Sequence, residues 1–266
     1  RAIKAHHETG DESLIEVALA PCSPFSVTRE LMRDTATLAK QCGCRLHTHL
    51  AETHDEDRFC VEAFGQRPLD YLEDCGWLHD KTWLAHGIHF DDSEIARLGA
   101  AGVGVSHCPT SNMVLASGHC RTLELEKAGV AVGLGVDGSA SNDNSNLMEG
   151  VRHALMMNRL IYGASAVTHL DALRWATEGS ARCLGREKLG KIAPGYQADL
   201  AMFTLDELRF SGAGDPLAAL VLCGAHRADR VMIRGRWTVE DGMPVGIDVA
   251  RLRHDHGAVA KLFAES

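Results

Sequence analysis

The chain has 266 residues, 45% of them hydrophobic and 24% charged, a globular composition that accommodates one large α/β barrel or two smaller domains. A formal net charge of -9, with no Lys/Arg run longer than two, argues against nucleic acid as a partner, because a polyanion needs a basic patch. No apolar run approaches the ~20 residues needed to cross a bilayer, so no membrane segment is expected.

In chain order, "LIEVALAPCSPF" (14–25) reads as a buried strand with Cys22 where it runs into a loop. The spacing of Leu31, Met32, Thr35, Leu38 and Ala39 after Thr28 predicts a helix over 28–42 with one apolar face. "RLHTHLAE" (45–52) reads as the next strand, after which His54, Asp55 and Glu56 begin a solvated helix. "KTWLAHGIHF" (81–90) is another strand, and "DDSEIARLGAAG" (91–102) a helix capped by Asp91 or Asp92. "VGVSHCP" (103–109) and "VAVGLGVDGSASN" (130–142) are further buried strands around a helix at about 121–128, followed by helices at about 146–162 and 168–184. From Leu189 the pattern changes to β-branched and polar residues around Pro-Gly and Asp-Gly turns, which reads as a small appended β-sandwich over 189–247. An amphipathic helix over 248–266 closes the chain.

Strand alternating with helix implies βα units and a parallel sheet, here the C-terminal part of a (β/α)8 TIM barrel over 1–188. Only five strands precede the helices at 146–184, so about three more are expected upstream of Arg1. Nine cysteines, at 22, 42, 44, 60, 75, 108, 120, 183 and 223, form no C-x-x-C pair, which favours reduced thiols in a cytoplasmic protein over a disulfide framework.

Active-site residues of such barrels gather at the C-terminal ends of the strands. Polar residues occupy those ends here: Cys22, His49 and Glu52, His86, His107 and Asp137. Plain loop polarity is the competing reading. Positions i and i+2 of a strand share a side, so His47 and His49 both face the interior, with His49 nearer the C-terminal end and better placed as a metal ligand. Glu52 lies in the loop beyond and leans back over the same point, where a carboxylate suits taking a proton from a metal-activated water. Two packed histidines with a surface glutamate would give the same pattern. His86, ending "WLAHG", is placed to polarise a carbonyl or steady a hydroxide, or is structural. Asp137 emerges from an apolar run with no cation beside it, which favours ligation because an unpaired buried carboxylate is costly.

Taken together, "HTHLAET", "LAHGIHF", "SHCPTSN", "GLGVDGSASND" and "KIAPGYQADLAMF" resemble, in order and spacing, the metal-dependent amidohydrolase superfamily and its aminohydrolase branch. "ALAPCSPFSVTRELM", "RPLDYLEDCGWL", "DALRWATEGSARCLGR" and "LDELRFSGAGDPLAALVLCGAHRADRVM" are most similar to the 8-oxoguanine deaminases within it. The resemblance implies His49 and Asp137 as metal ligands, Glu52 as proton shuttle, and His86 as the residue that steadies the attacking hydroxide. It also implies a His-x-His ligand pair upstream of residue 1; adjacent His6 and His7 cannot supply it. Cys22 falls where adenosylhomocysteine deaminases carry a substrate-contacting histidine, which argues against that nucleoside. The implied cofactor is one divalent metal, zinc first and iron permitted by ligand type. The implied activity is hydrolytic deamination of a small purine-like substrate, 8-oxoguanine to urate and ammonia, with guanine or a hydroxyatrazine-type s-triazine as alternatives. Relatives are commonly homo-oligomers, and a non-catalytic scaffold built on a half-barrel is the rival from another class.

Overall fold

A computed structural model describes residues 1–10 and 13–264. Four short apolar runs pair in parallel and in chain order: β1 (Leu46–Leu50), β2 (Thr82–His86), β3 (Gly104–His107) and β4 (Ala131–Leu134). Parallel neighbours require crossovers. Helices His54–Phe64 and Pro68–Asp74 link β1 to β2, Asp92–Ala101 links β2 to β3, and Pro109–Val114 with Thr122–Lys127 links β3 to β4. Leu50 lies opposite His86, and His107 opposite Leu134, so the C-terminal strand ends form one edge. This is the α/β architecture with a parallel sheet that the alternation of elements predicts.

The local signals explain the element boundaries. Asp91, not Asp92, caps its helix: its carboxylate accepts from the Glu94 N–H at 2.8 Å, and Glu94 returns the bond from the Asp91 N–H at 2.9 Å. Thr28 caps helix Arg29–Cys42, accepting from the Leu31 N–H. That helix buries a narrower stripe than its pattern suggests: Met32 and Ala39 are in the core, while Leu31 and Leu38 remain exposed.

Residues 14–25 do not form the expected strand. A single parallel bridge joins Leu19 to Leu46. Pro21 and Pro24 follow it, and a residue without an N–H cannot extend a ladder. The segment still lies along β1, because the Cys22 carbonyl accepts from the His49 N–H at 3.0 Å.

After β4, helix Leu147–Tyr162 is followed by a second helical stretch that runs from His169 through a π-helical turn at Trp175–Gly179 to Cys183. Its backbone rests directly on the sheet: a Cβ at Gly179 would sit 1.9 Å from the Val132 carbonyl oxygen. Leu46, Leu50, Leu84, Val105, Val132, Trp77 and Trp175 form the buried core between sheet and helices.

The later part of the chain forms a separate antiparallel sheet, in the order β5 (Leu200–Met202), β6 (Arg230–Ile233), β7 (Arg236–Glu240), β8 (Met243–Pro244). Arg234-Gly235 and Asp241-Gly242 make its two-residue turns, with positive φ at both positions of each, as the twist of a tight hairpin demands. Among the described residues the appended β unit is thus one four-stranded sheet, beside a small core of Phe210, Ala219 and Ala225. The closing helix, Val249–Ala264, buries none of its residues; 265 and 266, included in the expected helix, lie outside the described residues. No described helix is long and apolar enough to cross a membrane.

Candidate metal centre at the strand ends

The edge formed by the C-terminal strand ends gathers four of the expected residues. His49 lies on β1, His86 ends β2, Asp137 follows β4, and Glu52 stands in the loop after β1. His49 Nε2 is 4.0 Å from Asp137 Oδ1, and His86 Nε2 is 3.7 Å from both Asp137 Oδ2 and Glu52 Oε2. One potential ligand atom from each of His49, His86 and Asp137 lies within 4.8 Å of the others. These separations are too long for hydrogen bonds. They suit donors shared by one ion, since ligands ~2.1 Å from a tetrahedral centre stand roughly 3.4 Å apart.

The imidazole tautomers are fixed from behind. A backbone carbonyl can only accept, so the 2.6 Å contact of His49 Nδ1 with the Cys22 carbonyl puts the proton on Nδ1 and frees the Nε2 lone pair. The Asn112 side-chain carbonyl does the same for His86, at 2.9 Å from Nδ1. Both rings therefore present a lone pair to the same point. Asp137 is held by Ser111 Oγ at 2.6 Å and Ser141 Oγ at 3.3 Å. Burial opposes its ionisation, but hydrogen bonds from the Ser111 hydroxyl and the Gly138 N–H favour the charged form, and its carboxyl lies below the ordinary value.

Strain marks the same edge. Ala51, His86 and Asp137 have φ of 53°, 70° and 63°, in the left-handed region that residues bearing a Cβ rarely adopt. Such turns lift the chain out of the ladder and aim the last side chains across the edge.

The remaining expected positions fall differently. His47 stacks on the Trp83 ring with centroids 4.6 Å apart, and its Nδ1 donates to the Trp83 carbonyl at 3.1 Å, one layer below His49. His107 does not join the cluster. It is fully buried, its ring nitrogens have no hydrogen-bond partner among the described residues, and burial drives its pKa down to about 3. His6 ends the helix Ala2–His6, and His7 Nδ1 accepts from the Val17 N–H at 3.0 Å, so neither approaches the role of a ligand pair. Cys22 is exposed, and its carbonyl rather than its thiol supports the site. All nine cysteines are free thiols.

The sequence profile of the Amidohydrolase family matches residues 2–238. The chain belongs to the amidohydrolase family. It is 60% identical to the 8-oxoguanine deaminase of Pseudomonas aeruginosa over 260 residues, covering 98% of this chain and 58% of that protein. Among solved structures, an adenosine deaminase from Xanthomonas campestris with bound zinc superposes with a TM-score of 0.91 at 32% identity, covering 96% of this chain and 59% of the other. The atrazine chlorohydrolase TrzN from Arthrobacter aurescens TC1, complexed with zinc, gives a TM-score of 0.91 at 33% identity, over 97% and 57% respectively. This amidohydrolase chain thus spans just under three fifths of the length of these relatives.

Three supporting residues of this amidohydrolase have no signal of their own in the sequence. Ser111 and Asn112 belong to "SHCPTSN", and helix Pro109–Val114, which starts directly after β3, carries them under Asp137 and His86. Glu56 sits in an acidic run that reads as solvated, yet it is 2% exposed. Asn112→Ala removes the acceptor that fixes the His86 ring. We expect a fall in kcat of about 10–100-fold with KM changed far less, measured by steady-state kinetics, as for other groups that orient a site imidazole.

Proposed function

We propose that this chain is the metal-bearing part of an aminohydrolase that deaminates an aminopurine, 8-oxoguanine to urate and ammonia. The 60% identity to the Pseudomonas aeruginosa 8-oxoguanine deaminase over 98% of the chain carries this reading. The donor set supports it: two imidazole nitrogens and a carboxylate converge on one point, with a second carboxylate beside them. That set suits zinc, with iron compatible by ligand type. In this reading His49 and Asp137 ligate, and a His-x-His pair upstream of residue 1 completes the shell. Residues 1–188 are the C-terminal part of a closed (β/α)8 barrel, 189–247 a portion of a β-sandwich, and 248–266 the terminal helix.

A divalent ion held there supplies a water whose pKa is lowered from ~15.7 toward ~7. The rest of the chemistry falls to the side chains. Glu52 accepts a proton from the attacking water and delivers it to a ring nitrogen of the substrate, making the amino-bearing carbon electrophilic. His86, its Nδ1–H engaged by Asn112, keeps Nε2 directed between Glu52 and Asp137 and orients the attacking oxygen. Asp137 takes the remaining proton from the newly added hydroxyl and relays it to the departing nitrogen; the C–N bond breaks, ammonia leaves and the carbon becomes a carbonyl. Cys22 lines the mouth of the substrate pocket, where its small thiol leaves no imidazole to meet a nucleoside. The nine free thiols favour the cytoplasm, and we expect a homo-oligomer with no nucleic acid or membrane partner.

The test is ammonia release from 8-oxoguanine by the protein of the complete reading frame, assayed beside guanine and a hydroxytriazine. Turnover of either comparator without turnover of 8-oxoguanine overturns the substrate assignment. The structural likeness to TrzN makes the triazine ring the second reading. Absence of any tightly held transition metal would leave a non-catalytic scaffold.

A further inference from the structure

The peptide group joining Ala51 to Glu52 is gripped at both ends. Its carbonyl, on Ala51, accepts from the N–H of Ile88 at 2.8 Å and of His89 at 2.9 Å. Its N–H, on Glu52, donates to Glu56 Oε2 at 3.0 Å. The grip matters because Ala51 is buried with φ of 53°, a conformation that a residue with a Cβ leaves unless its neighbours hold it.

Glu56 does more here than cap a helix. It is the third residue of helix His54–Phe64, whose cap is Thr53, and the Thr53 hydroxyl accepts from the Glu56 N–H. In an ordinary capping box the third-residue carboxylate returns to the cap residue's own N–H, as Glu94 does to Asp91. Glu56 passes over Thr53 and takes the N–H of the residue before it, the one whose side chain faces His86. The cost of this placement is visible in its chemistry: burial raises the Glu56 carboxyl to about 7, although the N–H groups of Glu52 and Ala51 pull the other way.

We propose that Glu56 is a positioning residue for proton transfer by Glu52. By fixing the peptide plane at Ala51–Glu52 it sets the direction in which the Glu52 carboxylate leaves the backbone, and so its reach toward the site. The proposal rests on the assignment of Glu52 as the proton-transfer group. What it requires of Glu56 is an acceptor at one place, not a charge.

Glu56→Gln keeps that acceptor, Glu56→Asp withdraws it by one methylene, and Glu56→Ala removes it. In the protein of the complete reading frame, kcat should fall by about 10–100-fold in Glu56→Ala and Glu56→Asp, the scale of a misplaced reacting group, and stay within about threefold in Glu56→Gln. KM and bound metal should stay near wild type in all three. Hydrogen exchange at the Glu52 amide should quicken in the Ala and Asp variants and remain slow in the Gln variant. The proposal is overturned if Glu56→Gln is impaired as severely as Glu56→Ala, if Glu56→Asp matches wild type, or if metal is lost in step with kcat. Should Glu56→Ala fail to fold, the Asp and Gln variants decide. Full turnover by Glu52→Gln would defeat the role assigned to Glu52, whereas amide exchange at Glu52 tests the grip of Glu56 whatever Glu52 does.

Discussion

Glu52→Gln should lower kcat by roughly 10²–10⁴-fold, the usual contribution of a positioned general acid–base group, and leave bound metal near the wild-type level. The amide has nearly the shape of the carboxylate but cannot take up or release the proton. Glu52 Oε2 lies 3.7 Å from His86 Nε2, and Glu52 is not among the three residues whose ligand atoms converge. Metal content and turnover should therefore separate. Elemental analysis beside an ammonia-release assay reads both, and loss of metal in Glu52→Gln would make Glu52 a ligand.

Asp137→Ala should do the opposite, losing metal and activity together. Among the described residues Asp137 is the one carboxylate that faces both imidazoles, with one oxygen toward His49 and the other toward His86. Two serine hydroxyls hold it in the ionised form that a cation requires. Removing it takes the charged oxygen donor from the shell and leaves two serine hydroxyls without their acceptor, and metal affinity depends on ligand charge and number. Metal retained at the wild-type level after dialysis of Asp137→Ala would remove Asp137 from the coordination shell.

The strand ends were legible because each site residue closes an apolar run, and a parallel sheet brings such ends to one edge. The pattern could not tell which of those ends turns toward the others. His86 and His107 both end paired strands, opposite Leu50 and Leu134, and both are buried; of the two, His86 has the left-handed φ and His107 does not. Two adjacent runs, each ending in histidine, read alike and behave differently. The strand expected over 14–25 failed on Pro21 and Pro24, because apolar content alone does not supply ladder donors. Ser111, Asn112 and Glu56 were invisible for another reason. Their partners lie across the fold, or, for Glu56, behind a backbone turn that no periodicity encodes. In "THDEDR" every position after Thr53 is polar, so nothing in the run distinguishes the buried carboxylate from its solvated neighbours.

The three left-handed residues at the sheet edge also bear on how this protein tolerates improvement. Each such φ costs a non-glycine residue roughly 1–2 kcal/mol, so glycine at Ala51, His86 or Asp137 relieves a conformational penalty wherever it is introduced. At His86 and Asp137 that gain removes a side chain of the cluster, and at Ala51 it loosens the backbone that carries Glu52. Ala51 is the position where glycine would leave almost no void, so it is there that heat tolerance and catalysis pull in opposite directions.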